Sequence, residues 1–161
     1  MERKDNLRYL FESNHSAVRR LLDDISEDES MKRGKDNISH IRWQTGHLVY
    51  SATLTLKMLH DSAEIPEPWY ALFGRGSKIS DNAKDYPSQK ELRDKLYELY
   101  DLMEKRLDTI TDKELDSKAI IVPGFEPTSC NGALFFCTHE FYHAGQIAVL
   151  RKVLGRERAF G

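Results

Sequence analysis

The chain has 161 residues, 40% hydrophobic and 31% charged, with a formal net charge of −2 and a pI near 6.3. This is the composition of a single globular domain spanning residues 1–161, with enough apolar side chains to build a core, and it excludes a disordered chain. No run of lysines and arginines offers a phosphate footprint, and no apolar stretch approaches the roughly 20 residues of a membrane span. Neither nucleic acid nor a bilayer is therefore an expected partner.

The N-terminus enters an amphipathic pattern directly, without the apolar core of a signal peptide, so the expected compartment is the cytoplasm. The first helix is predicted from about Asp5 to Ile25, where Leu7, Leu10, Phe11, Val18, Leu21, Leu22 and Ile25 recur at helical spacing. The acidic run Ser26-Glu27-Asp28-Glu29-Ser30 is expected to be a solvated loop, since it lacks the glycine-turned spacing of a calcium loop. A second helix is predicted from about Ser39 to Leu59, capped by Ser39 or Asn37. Its apolar residues, among them Ile41, Trp43, Leu48 and Leu56, wrap nearly all round, which places His47 in the interior.

Between Asp61 and Pro87 the periodicity breaks at Pro66, Pro68, Gly74 and Gly76, and short helical turns are expected over one end of the fold. A third helix begins at the capping-box sequence Ser88-Gln89-Lys90-Glu91 and carries Leu92, Leu96, Leu99, Met103, Leu107 and Ile110 as one narrow stripe. A second linker runs from Thr111 to Ser129, with a brief extended segment expected at Ala119 to Gly124. The last helix is predicted from about Asn131 to Leu154, stopped by Gly155, with Arg151 and Lys152 placed to suit the helix dipole. Cys130 and Cys137 are seven apart, which on one helix would set them about 10 Å apart along its axis, too far for a disulfide. Four long helices with a long connection between the second and third predict an all-α four-helix bundle.

The chemistry concentrates in His139-Glu140-Phe141-Tyr142-His143. Two histidines four apart differ by about 40° of rotation and about 6 Å of rise, so their rings can share one ion. His47, in Trp43-Gln44-Thr45-Gly46-His47-Leu48, is the candidate third ligand from a neighbouring helix. Gly46, Ala144 and Gly145 are candidate points of close helix approach, and Gln146 a candidate hydrogen-bond partner that orients a ligand ring. Glu140 is either a base for the site or a surface glutamate; Trp43, Tyr50 and Tyr142 are either pocket walls or core. His15 is a candidate pocket residue, His40 lies too far from His47 to share its ion, and His60 suits a helix end. Three neutral imidazoles leave a divalent ion its full charge, which lowers the pKa of a bound water to about 7 and ionises a thiol, so hydrolysis and thiol transfer are both accessible.

Residues 139–143 also satisfy the H-E-x-x-H pattern of zinc metalloproteases. No downstream histidine completes the longer form and no strong strand precedes it to hold a peptide, so that activity is disfavoured.

The Trp43-to-Leu48 segment, the run His139-x-x-x-His143-Ala144-Gly145-Gln146-Ile147 and the tail Leu150-Arg151-Lys152-Val153-Leu154-Gly155 together resemble the DinB/YfiT-like superfamily of metal-binding four-helix bundles. The resemblance covers nearly the whole chain; Thr45 departs from it, standing where an aliphatic residue is common. It implies an up-down-down-up bundle, a three-histidine site at His47, His139 and His143 holding zinc or nickel, and a homodimer. It further implies either a metal-dependent enzyme, a thiol S-transferase or hydrolase using a low-molecular-weight thiol and a small-molecule substrate, or a non-catalytic metal- or ligand-binding stress-response bundle.

Overall fold

In the computed structural model, which describes residues 3–33, 38–119 and 126–159, seven α-helices form and no strand. They are α1 (Arg3–Leu22), α2 (Glu27–Ser30), α3 (Ile41–Met58), α4 (Glu67–Phe73), α5 (Gln89–Thr109), α6 (Asp112–Asp116) and α7 (Ser129–Val153), with a 3-10 turn at Ala83–Asp85. No helix among the described residues is long and apolar enough to cross a membrane.

Side-chain pairings fix the directions of the four long helices. Along α1, Arg8 meets Asp108, His15 meets Glu104 and Arg19 meets Asp101, so α5 runs antiparallel to it. Asn14 bonds Cys137 and Arg151 reaches Leu21 and Asp24, so α7 runs parallel to α1. Gln44 bonds Gln146 while Met58 accepts from Ser129, setting α3 against α7. Thr45 accepts from Gln89 and Leu59 from Arg106, aligning α3 with α5. The bundle is up-down-down-up. Its core is the stripe expected on α5, with Leu92, Leu96, Leu99, Met103, Leu107 and Ile110 all buried against Leu7, Phe11, Leu48 and Ile147.

Several local expectations are corrected. Residues 27–30 are not a loop: Ser26 caps a helical turn by accepting from the Glu29 N–H, and Glu29 returns the bond. That turn is a clamp. Glu27 accepts from the backbone N–H groups of Gln89 and Lys90, the free donors at the start of α5, and pairs with Arg42. Ser88 does cap α5, but the carboxylate serving the adjacent donors comes from α2, a partner that local spacing could not reveal.

Ser39 does not cap α3, and Asn37 lies outside the described residues; the cap is His40, whose Nδ1 accepts from the Trp43 N–H at 3.0 Å. α3 ends with His60 in the left-handed region at φ 55°, closed by the Asp61 N–H on the Leu56 carbonyl. Leu10 is exposed. Arg151 and Lys152 stand in the last turn of α7 as expected, and the buried Arg151 guanidinium also donates to the Leu21 carbonyl and pairs with Asp24, fastening the ends of α1 and α7. Of the extended segment expected at Ala119 to Gly124, residues 120–124 lie outside the described residues; beside them Lys118 pairs with Thr128 in a single antiparallel bridge. Both cysteines are free.

Candidate metal centre

His47 projects from the middle of α3, and His139 and His143 from successive turns of α7. Because these two helices are antiparallel neighbours, the three rings meet. The Nε2 atom of His139 lies 3.5 Å from that of His47 and 3.2 Å from that of His143. One donor atom from each of the three lies within 4.8 Å of the other two, the only such group of three or more His, Cys, Asp or Glu donors among the described residues.

The outer nitrogens fix two of the tautomers. His47 Nδ1–H donates to the Phe73 carbonyl at 2.7 Å. His143 Nδ1–H donates to Gln44 Oε1 at 2.5 Å. The Gln44 amide nitrogen donates to Gln146 Oε1 at 2.7 Å and to Ser39, which leaves its oxygen toward the ring. His47 and His143 therefore both present Nε2 lone pairs to the centre, and His139 has one ring proton at most to offer them. A cation fits this donor set better than the rings fit one another.

Electrostatics agree. Burial lowers all three imidazole pKa values, to about 4 for His139 and about 3 for His143, so each is neutral and free to ligate at pH 7. The charges acting on the rings come only from one another, with no carboxylate or cationic side chain contributing. A divalent ion held here keeps its full charge.

The three aromatics singled out from sequence all lie against the rings. Trp43 stacks on His47 with centroids 4.9 Å apart and planes 9° from parallel, its indole N–H donating to Ser77. Tyr50 tilts toward His47 at 6.0 Å, and Tyr142 sets an edge contact to His143 at 5.2 Å. Phe135 is not in the core with Gly132 and Phe136; it is half-exposed and stacks on His139.

Gln146, the expected orienting residue, bonds the His143 ring and also accepts from Gln44. Gln44 itself escaped notice, although a polar residue one turn before His47 in a largely apolar helix was a usable signal. The Phe73 carbonyl left no signal at all, because a backbone group at the end of α4 has no side-chain identity. Gly46 does permit close approach, but of Phe73 rather than α7: a Cβ there would land within the ring. Gly145 faces open space.

Glu140 is buried, not on the surface, and is absent from the three-histidine group. Its carboxylate accepts from Asn14 at 3.5 Å and borders an interior cavity of about 10 Å³ shared with Ser51, Thr55 and Phe136. Burial raises its pKa to about 7. His15 does not line that cavity; its ring stacks on Tyr100 at 3.7 Å and its Nδ1–H donates to Glu104.

Comparison with known proteins places these features in context. The family model described as the DinB superfamily matches residues 10–147. A solved structure described as the conserved protein of locus from Enterococcus faecalis superposes with a TM-score of 0.71, covering 97% of this chain and 99% of that one at 15% identity, a likeness of fold. No curated protein matches the chain in sequence.

Proposed function

The chain belongs to the DinB superfamily, and from that membership and the converging rings of His47, His139 and His143 we propose a metal-dependent enzyme acting on a small molecule by thiol transfer or hydrolysis. The observation that carries this is the pair of outer hydrogen bonds, Phe73 to His47 and Gln44 to His143, which aim two Nε2 lone pairs at a common point. Zinc or nickel suits three imidazoles, and the bound ion would supply an undiminished positive charge that favours the ionised form of a thiol or a water. The protein's own groups hold and orient: Trp43 and Tyr142 brace the rings, and Tyr50 narrows the approach to His47. Glu140 is given no proton-transfer role in this scheme, because its carboxyl borders an interior cavity that none of the three histidines lines.

Protein purified without a nickel column should carry about one equivalent of metal and show thiol-conjugating or hydrolytic turnover that a chelator abolishes. Bound metal with no chelator-sensitive turnover across both screens would overturn the enzymatic proposal in favour of a non-catalytic metal-binding bundle. Peptide cleavage is not proposed, because the glutamate of the H-E-x-x-H pattern turns away from the three rings.

We also propose that two copies pair through the outer face of α7. Phe141, Tyr142, Val149 and Val153 stand 65%, 62%, 60% and 54% exposed on it, with Gly145 open between them. A helix with apolar residues on both faces is patterned for burial on both. These residues with Phe135 and Ile38 expose on the order of 500 Å², against about 800 Å² per partner in a standard interface. Light scattering should return twice the chain mass, and Val149→Glu should halve it with helicity intact; a dimer that survives the substitution would place the interface elsewhere.

A further inference from the structure

The three rings differ in what holds them from behind. His47 has the Phe73 carbonyl, and His143 has Gln44 backed by Gln146 and Ser39. His139 Nδ1 is buried and has no hydrogen-bond partner. Its neighbours are Phe135, stacked at 6.4 Å, and Phe136, edge-on at 6.3 Å, neither of which can accept an N–H bond in the ring plane. His139 is also the least buried of the three, and Phe135, which covers it, is half-exposed.

A ring that ligates through Nε2 carries its proton on Nδ1. For His47 and His143 that proton already has its acceptor. For His139 it becomes a buried donor without an acceptor, so ligation by this ring is opposed where ligation by the others is assisted. Outer partners of this kind change metal affinity by about 10–100-fold.

We propose that the three ligands are inequivalent: His47 and His143 anchor the metal, and His139 is the exchangeable ligand, giving up its position to an incoming group from the solvent side. This rests on the metal-centre reading above. It makes His139 the hinge between a closed, three-histidine state and an open one in which substrate takes the vacated place.

The test uses Co²⁺ as the probe, with affinity read by chelator competition and coordination by visible absorption. His139→Ala should retain Co²⁺ within about 10-fold of the unaltered chain, with a changed spectrum as solvent replaces one nitrogen. His47→Ala and His143→Ala should each lose more than about 100-fold. Gln44→Leu keeps all three ligands and removes only the brace on His143; it should weaken binding about 10–100-fold, while Gln44→Glu, which retains an acceptor, should restore it. Equal losses for His139→Ala and His143→Ala, or no effect of Gln44→Leu, would overturn the inequivalence while leaving the metal centre standing. Failure of the unaltered chain to bind Co²⁺, Zn²⁺ or Ni²⁺ would instead remove the metal centre itself, and this inference with it.

Discussion

Stripped of metal, the protein should lose roughly 5 kcal/mol of stability between pH 6.5 and pH 5, enough to bring an ordinary domain close to unfolding. Burial holds His15, His40, His139 and His143 at about 3, 4, 4 and 3, against 6.5 in the unfolded chain. Through that window the unfolded chain takes up a proton at each site and the native state does not. Each group then withdraws about 1.4 kcal/mol per pH unit as pH falls. Glu140 acts in the opposite sense: its native pKa of about 7 lies above the unfolded 4.5, so below pH 7 the native state holds a proton that the unfolded chain lacks. Three groups remain uncompensated, about 4 kcal/mol per unit once the unfolded imidazoles are fully charged.

Geometry explains why those protons are refused. His40 Nδ1 accepts the Trp43 N–H, so charging that nitrogen removes the cap of α3. His15 is sealed against Tyr100. Urea midpoints measured in chelator at pH 7, 6 and 5 should fall steadily, and metal should raise them by binding only the folded site. A midpoint that stays level from pH 7 to pH 5 would show that these imidazoles are not held neutral.

Gly46→Val should be the most damaging single change on α3, lowering the melting temperature by roughly 6–12 °C for an expected loss of about 3 kcal/mol. Even a Cβ at residue 46 enters the space of the Phe73 ring, which is itself fully buried between Trp69 and Tyr86. The ring cannot step aside without moving the end of α4. That end carries the carbonyl that holds His47, so metal affinity should fall with stability, by about 10–100-fold. Gly145→Ala supplies the contrast. Nothing lies within 4 Å of a Cβ there, and α7 gains up to about 1 kcal/mol of helix propensity. A Gly46→Val protein that melts and binds metal like the unaltered chain would mean that α4 does not brace the site.

Local patterning was enough to find the long helices and to nominate the three ligands. Hydrophobic residues at three- and four-residue steps determine a helix and its buried stripe, because both follow from the period of the backbone itself; α5 is the clear case. Histidines four apart must share a face for the same reason. Tertiary structure decided everything that depends on which element lies beside which. Glu27 became the clamp on α5 instead of part of a solvated loop, and Arg151, in the last turn of α7, gained Asp24 as its partner. Glu140 was carried into the interior, Gln44 joined Gln146 in holding His143, and His139 was left without a partner for its outer nitrogen. Hydrogen bonds and burial are settled by contacts between segments far apart in the chain, and a backbone carbonyl such as that of Phe73 has no letter in the sequence to announce it.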